Sequence, residues 1–150
     1  MSKYSESVDS QMSSTAFYKL VDKEGGFGSP YDARDAAEIV FRTLRDLMTT
    51  EAADRIKDEL PDDGKDSLKS IWQDTNPLVN WLSRVRPPMD IKDKSFLFRI
   101  QQEAGLAPDV TSTQAVLAVF KALKQTLSEA GAKEVKTVLS GSVQQLWDQA

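Results

Sequence analysis

The chain has 150 residues, 40% hydrophobic and 28% charged, with a net charge of −4 and neither cysteine nor histidine. That composition excludes disulfides, thiolate zinc sites, thiol nucleophiles, the Ser-His-Asp triad and the usual general base near neutral pH. No apolar run reaches the ~18 residues of a membrane span, no charged-then-apolar leader opens the chain, and an acidic balance is not that of a nucleic-acid binder; the expectation is a soluble, cytoplasmic protein without metal, other cofactor or membrane contact.

Residues 1–13 are polar, Ser-rich and without periodicity, and read as a disordered tail. A helix is predicted from about Thr15 to Glu24, with Ser14 as its cap and Phe17, Leu20 and Val21 on one face. Gly25-Gly26 ends it, because glycine accepts left-handed geometry beyond a helix C-terminus. The next helix opens at Ser29-Pro30, with Asp32 favouring the positive end of the dipole. It carries a continuous apolar stripe from Ala33 through Ala36, Val40, Phe41 and Leu44 to Met48.

Thr49-Thr50 caps a short helix with Ala53, Ile56 and Leu60 on one side, and Pro61 follows it. Residues 62–66 read as a loop, followed by a short helix with Leu68, Ile71 and Trp72. Asn76-Pro77 begins another, carrying Leu78, Val79, Trp81, Leu82 and Val85. Arg86-Pro87-Pro88 cannot continue a helix and is read as a linker over 86–90.

Asp93 or Ser95 starts a helix with Phe96, Ile100 and Ala104, closed at Gly105. Thr111 with Gln114 has capping-box spacing before a long stripe of Ala115, Val119, Phe120, Leu123 and Leu127. Val135, Val138 and Leu139 make a short helix, and Ser142 with Gln145 is a second capping-box spacing before Val143, Leu146 and Trp147. No stretch alternates with the two-residue period of a strand.

Shifted by 79 positions, residues 17–60 align on 96–139 without a gap and with ten identities. Phe17 meets Phe96, Glu24 meets Glu103, Gly26 meets Gly105, and Val40-Phe41 meets Val119-Phe120. With a shorter loop in the second copy, Trp72 meets Trp147. The matches recur where a helix faces a core, so a folding unit is repeated. The expected fold is all-α: two tandem related helical bundles, a pseudo-twofold repeat, packed into one compact unit. The first spans 14–85 and the second 91–150. Each alone would bury only a marginal core.

An aromatic-led helix ending in Gly26-Phe27 is followed by a long Ala-rich helix with Val40-Phe41 and Leu44. Glu51-Ala52, Leu60-Pro61 and Trp72 complete the pattern, which returns as Phe96, Gly105-Leu106, Ala115, Val119-Phe120, Leu123, Leu139 and Trp147. Over roughly residues 15–148 this resembles the bacterial domain-of-unknown-function family 2267. The second copy departs from it with Ser140 in the place of Pro61. The resemblance implies tandem helical repeats and brings no catalytic residues.

Several motifs read as structure. Gly25-Gly26-Phe27-Gly28 lacks the preceding strand and the Gly-Lys-Ser/Thr of a phosphate loop. The carboxylates around Gly64 miss the ligand spacing of a calcium loop. Trp72 and Trp147 end apolar stripes and are expected in the core. Glu24 and Glu103 stand at helix C-termini, where a carboxylate opposes the dipole; a specific partner holds them, or the match is coincidence.

The copies differ most where Lys19, Glu38 and Glu59 become Phe98, Leu117 and Val138. The second long helix is thus apolar around more of its circumference and is expected to be buried on several sides. Phe98, Leu117 and Val138, with Trp81, Arg84 and Arg86, form the candidate interface, facing either the first repeat or another chain. The expected function is a non-catalytic protein-interaction or scaffold module that self-associates or binds another protein. The alternative is a small apolar ligand held between the repeats near Trp81.

Overall fold

Short polar side chains set the helix starts. In the computed structural model, which describes residues 12–73, 88, 91–106 and 110–150 (side chains at 30, 31 and 93 set aside), Ser13, Thr49, Ser67, Thr111 and Ser128 each accept a bond from the amide three residues on. Each satisfies an amide that has no partner within its helix. The helices so begun are α1 (Ser14–Gly25), α3 (Thr50–Asp58), α4 (Leu68–Trp72), α6 (Ser112–Thr126) and α7 (Glu129–Val138). α2 (Pro30–Leu47), α5 (Asp93–Glu103) and α8 (Gly141–Gln149) complete the set. Among the described residues there is no strand.

Three capping expectations are corrected. Ser13, not Ser14, caps α1; the Ser14 hydroxyl is buried and accepts the Leu68 amide at 2.9 Å. Thr111 caps α6, but the Gln114 side chain does not turn back to complete a box. It donates to the Gly25 carbonyl at 2.7 Å, because that carbonyl stands at the end of α1 with no further turn to supply a donor. Ser142 and Gln145 form no box either, since α8 starts earlier, at Gly141, with Ser140 in the cap position. Gln144 instead donates to the Lys136 and Leu139 carbonyls and closes the end of α7.

Gly26 follows α1 with φ 68°, the left-handed geometry expected of a glycine there, and its amide returns to the Asp22 carbonyl. α6 is the central helix and packs on α1, α2, α5 and α8. Its buried residues include Ala115, Val116, Ala118, Val119, Phe120, Ala122 and Leu123, so it is covered on several sides. α1 packs more extensively on α6 than on its sequence neighbour α2, and α5 reaches back to α2. One continuous core therefore takes side chains from both ends of the chain.

Two aromatic series run through that core. Phe41 meets Phe17 and Trp72 with ring centroids 5.9 and 5.3 Å apart. Phe120 meets Phe96 and Trp147 at 6.3 and 5.0 Å. The Trp72 indole donates to the Ala53 carbonyl at 3.0 Å, which satisfies its one polar atom inside the core. Lys124 donates to the Trp147 and Ala150 carbonyls and closes α8. The segment expected to be helical from Asn76 lies outside the described residues, as do Arg86 and Pro87 of the linker; Pro88 is exposed.

Candidate functional site

α2 has two faces. Ala33, Ala36, Ala37, Val40, Phe41 and Leu44 are buried. Arg34, Glu38, Arg42 and Arg45 recur at the i, i+4, i+8 and i+11 spacing of a single stripe on the other side. That stripe forms one wall of a groove of about 240 Å³, and the segment from Lys65 to Gln73 forms the other. Four basic side chains (Arg34, Arg42, Arg45, Lys65) meet two acidic ones (Glu38, Asp66) there. Among the lining side chains cations thus outnumber carboxylates on a chain whose net charge is −4, with Asp35 and Glu103 standing beside Arg34 and Arg42 from outside the lining.

Two of the groove's cations, Arg34 and Arg42, are held loosely. Arg34 pairs with Asp35 at 3.0 Å and Asp66 at 3.4 Å, all three partly exposed. Arg42 stands 3.5 Å from Glu38 and 3.9 Å from Glu103. Pairs this exposed are each worth about 0–1 kcal/mol, so a ligand can replace them at little expense. In the second half the offset of 79 puts Thr113, Leu117, Lys121 and Lys124 at the same positions. Lys121 is engaged by Glu24 at 2.8 Å and Lys124 by the end of α8. The basic groove therefore belongs to the first half alone.

Arg34, Lys65 and Asp66 also line a second cavity of about 450 Å³, with Tyr18, Lys19 and Asp63. Tyr18 donates its phenol to the Asp66 carbonyl at 2.6 Å. Burial, and then the nearby Asp66 carboxylate, push this phenol far above its ordinary range, so it stays a donor. Asp63 accepts the Ser14 amide at 3.0 Å. Burial opposes its ionisation, but its hydrogen bonds to Ser14 outweigh burial and keep the carboxyl below its usual range.

Glu24 and Glu103 do have partners, and the partners are crossed. Glu24 binds Lys121, and Glu103 lies beside Arg42, the residue 79 positions before Lys121. Arg55 bonds Glu134, its own counterpart at that offset, with Nε 3.2 Å from each carboxylate oxygen. The Lys121 hydrogen bond lowers the Glu24 carboxyl, and the Arg55 hydrogen bond lowers that of Glu134. With Asp63, these carboxyls bind protons less readily folded than unfolded, so their stabilisation is complete above the unfolded values near pH 4 and lost as pH falls through the lower folded ones. Urea midpoints at about pH 6.5 and about pH 3 are expected to fall together with pH, and to fall less for Asp63→Asn than for the native chain. An equal fall in both chains would remove Asp63 from the account.

The sequence-predicted interface is only partly gathered. Phe98 is 65% exposed on α5, so it is no part of the intrachain core. Leu117 and Val138 are half-buried and pack at the core's edge. Trp81, Arg84 and Arg86 lie outside the described residues. Trp72 and Trp147 are core residues, at 1% and 3% exposure. The carboxylates around Gly64 serve as local acceptors: Asp63 for Ser14, Asp62 for Ser67, and Glu59 for the amide and hydroxyl of Ser128. No group of three or more acidic, His or Cys side chains among the described residues could hold a metal ion. No helix there is long and apolar enough to cross a membrane.

Reading the sequence for apolar periodicity passed over the groove. The signal was present as the spacing of Arg34, Arg42 and Arg45 on the polar face of a helix already predicted. Among curated proteins none matches the chain. A family model described as "Uncharacterized conserved protein (DUF2267)" matches residues 14–146, and the chain belongs to that family.

Proposed function

We propose that the chain is a non-catalytic, cytoplasmic interaction module whose partner is a protein, and that an anionic part of the partner docks in the α2 groove. The observation that carries this reading is the meeting of Arg34, Arg42, Arg45 and Lys65 at one groove of a net acidic chain. Charge placed against the average of a surface steers a complementary partner and fixes its register. The groove's one hydroxyl, that of Ser70, accepts from the Ser67 hydroxyl at 2.9 Å, a pairing with another hydroxyl and not with the base that activates a nucleophile. Nucleic acid and membrane are not assigned as partners.

We also infer that the two halves are copies related by a pseudo-twofold arrangement. Reciprocal contacts such as Glu24–Lys121 and Glu103–Arg42 are what a twofold arrangement generates, and a contact between counterparts, as in Arg55–Glu134, belongs beside its axis. The alternative, an apolar ligand between the halves near Trp81, falls on residues outside those described. The crevice bounded by Leu47, Ile91, Phe96, Leu139 and Val143 is too narrow for a water molecule.

Native mass spectrometry of the protein from its own cells tests the reading, with Arg42→Gln/Lys65→Glu as the comparison. The expected result is a protein complex with the native chain that is absent from the variant, while both keep the same helical circular dichroism. A complex retained by the variant overturns the groove as the docking site. A bound small molecule with no protein partner overturns the interaction reading in favour of the alternative.

A further inference from the structure

We infer that the occupant of the α2 groove is an extended acidic peptide segment, gripped at two cationic ends; this rests on the interaction reading above and names its ligand. The spacing of the charges carries the inference. Arg34 and Lys65 stand at one end of the groove, and Arg42 and Arg45 at the other. Eight to eleven residues of helix separate the ends, roughly 12–16 Å at the rise of an α-helix. A ligand that bonds each cation where its own turn of the helix stands, without drawing the long side chains together, has to span that length. An extended chain covers that length with about four or five residues, and its alternate side chains point to the same side.

The groove does not stop at Arg34. Arg34, Lys65 and Asp66 are shared with the cavity that holds Tyr18 and Lys19, so a longer segment continues past the first cationic end. Glu38 lies between Arg34 and Arg42 on the same stripe. It repels a ligand with charge at every step and accepts one whose carboxylates stand at the ends, with a neutral or donor side chain between. That pattern separates a peptide from a nucleic acid strand, whose phosphates are continuous. Tyr18 is 8% exposed and its ring is turned into the core against Phe17, so the cavity presents no aromatic platform for a stacked base. Phosphoryl groups and carboxylates share the guanidinium chemistry of the two ends; the backbone spacing of the ends and the Glu38 carboxylate between them favour the peptide.

Fluorescence anisotropy with a labelled extended peptide of about five residues, Glu-Ala-Ser-Ala-Glu, whose two carboxylates share one side with a hydroxyl between them, tests the assignment. The full chain is expected to bind it, to bind the version with Gln in place of Glu far more weakly, and to lose affinity as salt is raised. Arg42→Gln/Lys65→Glu is expected to weaken binding roughly tenfold, as loss of two partly exposed charge contacts would. Arg34→Gln, a milder change at the other end, is expected to weaken it less while leaving helix content unchanged. Pyrophosphate is expected to displace the peptide only at large excess. Displacement at equal concentration, or tighter binding of an oligothymidylate, overturns the peptide assignment while leaving the groove an anion site. If no probe binds, yet the native complex is lost in Arg42→Gln/Lys65→Glu, the ligand class is wrong and the interaction reading survives. If that complex also persists in the variant, both fail.

Discussion

Phe41→Ala and Phe120→Ala are each expected to destabilise the protein by about 3–5 kcal/mol, and by similar amounts. Both rings are fully buried at 0% exposure, and each is the middle of its aromatic series. Truncation loses the transfer free energy of the ring and leaves a cavity between two other aromatic residues. It also forfeits two edge-on ring contacts, each worth roughly 0.5–1.5 kcal/mol beyond area. Collapse around the cavity is restricted, because the neighbours are held elsewhere: the Trp72 indole by the Ala53 carbonyl, and the Trp147 ring beneath the Lys124 ammonium at 5.7 Å. A loss of this size consumes much of the stability of a domain this small, so the measurement is a urea midpoint at low temperature, where a folded population remains. Equal losses support the reading of the halves as copies. A cost below about 1 kcal/mol at either site would mean that the ring is not packed as described. A large cost at one site and a small one at the other would mean that the halves are not energetically equivalent.

The helices were legible because their signals are local. Ser or Thr before an apolar stripe, glycine after it and proline at the first turn act within a few residues, so α2, α3, α4 and α6 begin close to where the sequence places them. The failures were competitions from hydrogen-bond partners that are distant in sequence. Ser14 had the right chemistry to cap α1, but the Leu68 amide, 54 residues away, claims its hydroxyl. Gln114 had the spacing of a capping box, but the Gly25 carbonyl, 89 residues away, claims its amide. The charge-to-hydrocarbon differences between the halves were visible, but their direction was not. Phe98 replaces an exposed lysine and stays exposed, whereas Leu117 and Val138 are drawn to the edge of the core. The groove was hidden for a related reason. Its arginines are on one helix, but its second wall arrives from residues 65–73, and only folding brings Lys65 to the same place.

Arg99→Met is expected to cost about 3 kcal/mol, and Asp46→Leu combined with Arg99→Leu is expected to recover most of that loss. Asp46 lies near the C-terminus of α2, where the helix dipole opposes a carboxylate, and its side chain is only 7% exposed. Arg99 reaches it from α5 at 2.8 Å, itself 25% exposed. Removing the cation takes the guanidinium away from a nearly buried negative charge, whereas removing both charges restores an apolar contact of similar volume. The offset of 79 puts Gln125 and Leu20 at these positions, so the pair exists on one side of the molecule only. That side is the side of the groove. Arg99 also holds Glu103 at 3.1 Å, and Glu103 is the carboxylate that faces Arg42 across 3.9 Å. A charge chain thus runs from the buried Asp46 through Arg99 and Glu103 to the groove. Arg99→Met is therefore expected to lower affinity for the acidic peptide as well as stability, because Glu103, released, competes for the Arg42 guanidinium. Adding Glu103→Gln to Arg99→Met restores the affinity and leaves the stability low, and anisotropy beside urea unfolding reads the two effects separately. If Glu103→Gln restores nothing, Arg99 acts on the fold alone, and the groove is set by α2 and the 65–73 wall without help from α5.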